Sequence, residues 1–324
     1  MEPDVSFVIA AYNADPTIER AVRSALAQQR VDVEVVVVDD RSQDLTVDVV
    51  RSLADNRIRL VPLSENRGPG GARNAGLRAS RGRWIAILDA DDAVHPERMA
   101  RLIARAERSR ASIVVDNVEV ARDADHACRL MFSPSALERM PELSLVDFID
   151  GNLLFKSKFN FGYMKPVFER RFLEANGLVY DERLRIGEDY LLLATALAKG
   201  GYCAVEPEAG YTYHIVEGSI SRVLELRHVE DMIAADAAFL SANRLDAAAR
   251  AAFERRARSL EEAAAFLALV GHIKNGAPLK ALSAALRNPA AIRHLRMPIV
   301  KRLGLDRLAA ALASISPASN TRPA

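Results

Sequence analysis

The sequence predicts an α/β fold, a mostly parallel sheet flanked by helices, followed by a C-terminal helical region. Short, uncharged apolar runs alternate with amphipathic helical patterns over the first half of the chain, as in parallel sheets covered on both faces. Several of these runs stop at acidic residues, at the carboxyl ends where such sheets collect ligands. From about Leu224, alanine-rich helical patterns replace the alternation. The expected organisation is a sheet domain over 1–223, a helical region over 224–316 and a disordered tail over 317–324.

The elements follow in order. Val5–Ala10 is a short apolar strand ending in Ala11-Tyr12-Asn13-Ala14-Asp15-Pro16. A helix is expected from about Pro16 to Gln29, with Ile18, Val22, Ala25 and Leu26 on one face. Val33–Val38 is a second buried strand, closed by Asp39 and Asp40. A helix over Leu45–Ala54 and a strand over Ile58–Leu63 come next. The stretch Asn66-Arg67-Gly68-Pro69-Gly70-Gly71-Ala72-Arg73-Asn74-Ala75-Gly76 reads as a glycine-rich helix start. It is no dinucleotide fingerprint, because Arg73 stands where the third glycine belongs, and no Walker loop exists anywhere. Arg73, one turn inside, either reaches an anionic ligand or lies on the surface.

Trp84-Ile85-Ala86-Ile87-Leu88 is a further buried strand and runs into Asp89-Ala90-Asp91-Asp92. Three carboxylates so close repel one another unless a cation or hydrogen-bond donors intervene. Oxygen ligands of this kind suit Mg²⁺ or Mn²⁺, which in turn clamp phosphates. A solvated acidic turn is the alternative. Tyr12, Asp40 and Asp89 all fall at strand carboxyl ends and can share one crevice. Pro96 opens a helix, and Ile113–Val118 is another strand. The segment 120–160 predicts loops and a short helix near Leu143–Phe155. The aromatic stretch from Phe159 to Pro166, which includes Lys165, lines the substrate or packs in the core. Glu188 and Asp189 occupy the first turn of an apolar helix reaching Lys199. Capping explains one acid there but not a second. Tyr211–His214 alternates like a strand, and a lone histidine such as His214 is more often a packing residue than a ligand.

Composition sets bounds. Lys and Arg number 44 against 43 Asp and Glu in 324 residues, so no global field argues for nucleic acid. Cys128 and Cys203 give neither zinc spacing nor a disulfide framework. No apolar run reaches the roughly 18–20 residues of a membrane helix, and the chain start is no signal peptide, which predicts a cytoplasmic protein. The C-terminal region is basic, and over Ile292–Leu312 its cations mix with apolar residues. That segment either lies on an anionic membrane surface at the cytoplasmic face or packs as a helical tail. The C-terminal helices are also a candidate surface for homo-oligomers or partners.

The ordered set Val-Ser-Phe-Val-Ile-Ala-Ala-Tyr-Asn, Val-Val-Val-Val-Asp-Asp-Arg-Ser, Asn-Arg-Gly-Pro-Gly-Gly-Ala-Arg-Asn-Ala-Gly, Leu-Asp-Ala-Asp-Asp and Gly-Glu-Asp resembles the family 2 glycosyltransferases. These have the GT-A fold, mostly invert the anomeric centre and use nucleotide sugars. The likeness spans about residues 4–220, and bacterial exopolysaccharide and cell-surface glycan transferases are nearest in layout. The resemblance implies that the Ala10 backbone and the Tyr12 ring border the base and that Asp40 hydrogen-bonds uracil. It implies that Asn66 and Arg73 complete the uridine site and that Asp89 contacts the ribose or the metal shell. Asp91 is then the ligand of Mn²⁺ or Mg²⁺ on the diphosphate, joined by His214. Asp189 is the general base, with Glu188 beside it. Ala10 departs from the family, which usually has proline there. No pattern for acceptor recognition carries over.

The expected activity is transfer of a sugar, with inversion, from a nucleotide-diphosphate donor (a UDP-sugar) to a hydroxyl of a glycan or lipid-linked acceptor. A divalent ion stabilises the leaving diphosphate, and one positioned carboxylate takes the hydroxyl proton. One base without a nucleophilic carboxylate gives a single displacement, hence inversion. An inactive nucleotide-sugar-binding scaffold is the competing reading. A sugar nucleotidyltransferase ranks lower, because the first strand is followed by Ala11-Tyr12-Asn13 instead of a glycine-rich basic loop.

Overall fold

The computed structural model describes residues 2–121, 128–156, 160–215, 224–289, 292 and 294. Four strands build its parallel half: Val5–Ala11 (β1), Val33–Asp39 (β2), Ile58–Pro62 (β3) and Trp84–Ile87 (β4), in the spatial order β3-β2-β1-β4. Val8 pairs with Val36 on one side and Ile87 on the other, which brings the carboxyl ends of β1, β2 and β4 together. β1 and β2 are buried almost throughout, which is why apolar residues dominate them. Phe7 and Ile9 face one core, and Val8 faces a second on the other side of the sheet.

The other half is mixed. Ala93–Val94 (β5), Ile113–Ala121 (β6), Cys128–Leu130 (β7), Val167–Glu169 (β8) and Cys203–His214 (β9) extend the order as β4-β8-β6-β9-β5, with β7 on β6. β8 runs antiparallel to both β4 and β6, and β5 is antiparallel to β9. The sheet is therefore parallel only in its first half and along β6 and β9. The difference arises because β5 and β8, two and three residues long, owe their state to cross-strand pairing more than to local pattern.

Helices Ile18–Leu26 (α1), Thr46–Ser52 (α2), Gly68–Ala79 (α3) and Arg98–Ser109 (α4) connect the early strands. Pro134–Glu138 (α5), Leu145–Asp150 (α6) and Arg170–Ala175 (α7) are short, and Glu188–Ala198 (α8) precedes β9. Leu226–Ala242 (α9), Ala247–Lys274 (α10) and Pro278–Arg287 (α11) form the C-terminal helical region. The chain divides into two compact units, Met1–Ala257 and Arg258–Ala324, so the division falls within the region expected as helical. Within the first unit the helices after residue 224 brace α8. Arg256 lies over the Tyr190 ring at 3.6 Å and donates to Asp236 at 2.7 Å, and Phe239 stacks on Phe253. The amphipathic stretch expected over Ile292–Leu312 lies, apart from Ile292 and His294, outside the described residues, as does the tail 317–324. Among the described residues no helix is long and apolar enough to cross a membrane.

Candidate active site

The crevice forms at the carboxyl ends of β1, β2 and β4 and is closed by the N-terminal turns of α3 and α8. The loops after β1 and β2 are laced together. The Asn13 amide donates to Ser42 Oγ, the Gln43 amide to Asn13 Oδ1, and the Ala14 amide to Thr46 Oγ1. Tyr12, at the tip of this lacing, is exposed with its ring free to face a ligand, and Ala10 sits half-buried in β1.

Asp40 is buried directly behind β2. Its oxygens accept the backbone amides of Arg67 and Gly68 at 2.7 and 2.8 Å, so it satisfies donors at the start of α3. Burial raises its pKa against those bonds. Each oxygen retains a lone pair for a further donor. Asn66 donates its amide to the Asp40 carbonyl at 3.0 Å and faces Arg185 across 3.4 Å. Arg185 passes over Gly68, where a Cβ would lie 2.3 Å from its guanidinium and where φ is +73°. Only glycine allows that crossing. Arg185 belongs to this corner of the crevice and was not among the expected site residues.

α3 is buried along most of its length, so Arg73 is a core residue and not a surface one. Gly76 allows this depth, since a Cβ there would come within 2.3 Å of Val8 Cγ1. The residue after Arg73, Asn74, grips the backbone of Tyr180 from both sides, accepting from its N–H at 2.8 Å and donating to its carbonyl at 2.9 Å. That grip fixes the chain leading to Gly187, the residue before α8, which has φ +93°.

The centre of the crevice is an ion cluster. Arg73 contacts Asp89 at 2.8 Å, Glu188 at 2.6 Å and Asp189 at 3.3 Å. Lys165 Nζ lies 2.7 Å from Asp89 Oδ2 and 3.1 Å from Asp189 Oδ2. Two cations thus hold three carboxylates drawn from β4's end and from the first turn of α8. Burial opposes ionisation of Asp89, but Lys165 and Arg73 outweigh it and hold the carboxyl well below the usual range. Burial likewise opposes the Lys165 charge, and Asp189 and Asp89 raise its pKa above the ordinary ammonium value. Glu188 moves upward through burial and the neighbouring Asp189.

In the sequence Lys165 stands in an aromatic stretch with no local signal that marks it as a site residue. What aims it lies far away in the chain. The fully buried Arg98 pairs with Asp116 through bonds of 2.9 and 2.8 Å and donates to the Lys165 carbonyl at 2.8 Å. A backbone carbonyl held by a paired, buried guanidinium fixes the side chain's starting point.

The remaining acids of the strand end divide by role. Asp92 is buried, accepts from Tyr211 Oη at 2.6 Å and from the His214 backbone N–H at 2.8 Å. Burial and the charges of Asp89 and Asp91 push its pKa well above the carboxylate range. Its bonds tie the end of β9, and with it His214, to the acidic loop. Asp91 is half-buried and takes part in no ion pair among the described residues. Burial and the charge of Asp89 raise its pKa.

These contacts bring Asp89, Arg73, Glu188 and Asp189 into one cluster, with Asp40, Asn66 and Tyr12 along one flank and Asp91 and His214 at its edge. The family model of glycosyl transferase family 2 matches residues 6–172. The chain belongs to glycosyltransferase family 2. The similarity to curated relatives extends beyond that span. The chain is 56% identical over 321 residues to the succinoglycan biosynthesis protein ExoO of Rhizobium meliloti, covering 99% of this chain and 91% of that one. It is 36% identical over 300 residues to ExoU of the same organism, covering 89% and 84%. Among solved structures, S. aureus TarS 1-349 in complex with UDP-GlcNAc matches with TM-score 0.61 at 18% identity, over 88% of this chain and 92% of that one. The Pyrobaculum calidifontis mannosyltransferase PcManGT, in complex with GDP-Man and Mn²⁺, matches with TM-score 0.58 at 20% identity, over 98% and 82%. At those identities the likeness is one of fold, and it is the GT-A fold.

Proposed function

We propose that this family 2 glycosyltransferase transfers a sugar, with inversion, from a UDP-sugar to a hydroxyl of a glycan or lipid-linked glycan during exopolysaccharide assembly. The reading includes a cytoplasmic location, peripheral to the inner membrane, and a GT-A domain over 1–223. The observation that carries it is the ion cluster: the same two cations hold Asp89 of the strand end and Asp189 of α8. The donor assignment is supported by UDP-GlcNAc in TarS and the polysaccharide assignment by ExoO and ExoU.

In this reading Asp40, Asn66 and Tyr12 receive the base beside the Ala10 backbone, and Asp89 and Arg73 frame the ribose and diphosphate. The acceptor oxygen bonds to the anomeric carbon as the bond to the diphosphate breaks. The electron pair leaves with UDP, and the hydroxyl proton passes to Asp189. Arg73 and Lys165 hold that carboxylate at fixed distance, and positioning outweighs basicity because the proton departs only as the new bond forms. Glu188 lies beside Asp189 and helps fix Arg73 through a 2.6 Å bond.

The residues fit a divalent cation shared with the substrate. Among the described residues no group of three or more His, Cys, Asp and Glu forms a cage. Mg²⁺, however, is held by one or two carboxylates plus substrate phosphates, and Asp91 is a partly buried carboxylate beside the like charge of Asp89. Asp91 and His214 would hold the ion, which would act as a Lewis acid on the leaving diphosphate.

The test is Asp189→Asn. UDP-sugar binding should stay within a fewfold of wild type while UDP release with acceptor falls at least about a hundredfold. In parallel, Asp91→Ala should abolish the Mn²⁺ enhancement of UDP affinity in calorimetry. Near wild-type transfer by Asp189→Asn would move the base elsewhere, and binding without any turnover by the parent would favour a scaffold.

A further inference from the structure

We infer that α11 is a docking surface for an anionic lipid bilayer. Leu279, Leu282 and Leu286 are 82%, 57% and 72% exposed. Their spacing of three and four residues puts them on one face of the helix. The opposite face is packed, since Ala281 is buried. The stripe therefore belongs to a helix already seated in its unit, with its largest apolar side chains turned to solvent. Ile273, at the end of α10, is 53% exposed and adds to the same kind of surface.

Charge decides what such a stripe meets. The whole chain is nearly neutral, at +1, yet no Asp or Glu occurs between Glu262 and Asp306, where seven Lys and Arg stand. Lys280 lies within α11 and Lys274 just before it. A second copy of this segment would bring like charges together, and three leucines cover far less than the roughly 1,200–2,000 Å² of a stable protein interface. A nucleic acid would use the cations and leave the leucines in water. An anionic bilayer uses both. Apolar side chains enter the headgroup boundary by about 5–10 Å while lysines remain at the charged surface. This inference does not depend on which sugar is transferred, or on transfer at all.

The experiment is sedimentation of the full chain with vesicles of equimolar phosphatidylglycerol and phosphatidylcholine, against vesicles of phosphatidylcholine alone. The expected result is binding to the anionic vesicles only, weakening severalfold as salt shortens the Debye length. The triple variant L279S/L282S/L286S should lose at least about tenfold in partitioning with an unchanged melting temperature, because the side chains it alters are exposed. The double variant K274E/K280E should bind weakly at every salt concentration. The proposal is overturned if the full chain ignores anionic vesicles at low salt or if the triple variant binds them as the parent does. It is equally overturned if the triple variant melts lower, which would mean the chain itself covers the stripe. Conversion of a dimer to a monomer by the triple variant, with vesicle binding intact, would assign the stripe to a second copy.

Discussion

Replacing Lys165 by methionine removes the ammonium and keeps most of the aliphatic stem. Asp89 loses its 2.7 Å partner and Asp189 its 3.1 Å partner. Among the described residues Arg73 is then the only cation in contact with these three acids, at 2.6, 2.8 and 3.3 Å. At an effective dielectric constant near 20, each lost contact is worth about 5–6 kcal/mol of attraction. Most of this is offset, because a buried ammonium no longer has to be desolvated. Removing one partner of a buried ion pair costs about 3–5 kcal/mol in total. The two acids keep 24% and 22% of their side-chain exposure, so water screens part of the remaining repulsion and the lower end, about 3 kcal/mol, applies. For a domain of this size each kcal/mol lowers the melting temperature by roughly 2–4 °C, giving a fall of about 6–12 °C. The assay is thermal unfolding at neutral pH beside Lys199→Met, a change at an exposed helix cap. Lys165→Arg should recover at least half of the loss, because it restores the charge. If Lys165→Met melts together with Lys199→Met, Lys165 does not hold the cluster.

Three other predictions follow from single contacts. Gly76→Ala pushes a Cβ to within 2.3 Å of Val8 Cγ1, and such overpacking should cost about 1–3 kcal/mol in urea unfolding. Asp116→Asn leaves the buried Arg98 without its carboxylate and should destabilise by about 3–5 kcal/mol, with transfer falling as well because the Lys165 carbonyl loses its fixed donor. Burial opposes ionisation of Glu34, but Ser6 and Arg81 outweigh it and set its pKa below the ordinary value of 4.5. A depressed folded-state pKa gives stability that is present above 4.5 and lost as pH falls through the folded value. Glu34→Gln should therefore flatten the acid limb of melting temperature against pH, and an unaltered limb would refute this.

Much of the fold was legible because burial on both sides writes itself into consecutive residues. β1, β2 and β4 are predominantly apolar for that reason, broken only by Ser6 in β1 and by Glu34 and the terminal Asp39 in β2. β9 was legible only at its end, over Tyr211–His214. Its middle carries Glu206, Pro207 and Glu208, half-buried or exposed opposite an irregularity at Asn117. The strand exists because β6 pairs with it, and a pairing partner ninety residues away leaves no local period. The acids of the site were legible for a related reason. Asp40 and Asp89 end strands whose apolar pattern marks where the sheet stops.

The cations that organise those acids carry no such mark. Arg185 and Lys165 stand in irregular segments, where a basic residue ordinarily stays in water. Their identity as site residues comes from three long-range arrangements: glycine at position 68, the Asn74 grip on Tyr180, and the buried Arg98–Asp116 pair. Each is a backbone placement, and each serves a side chain that does not belong to it. The acids alone would be an unstable group, three charges within hydrogen-bond reach of the same guanidinium. Lys165 supplies the second positive charge beside Asp89 and Asp189, at 2.7 and 3.1 Å. Under the proposed function, a substrate diphosphate arriving there would meet two cations already oriented by these acids. In the proposed reading the same cluster would receive the donor, so changes at Lys165 or Asp116 should lower stability and transfer together, whereas Asp189→Asn should lower transfer far more than binding.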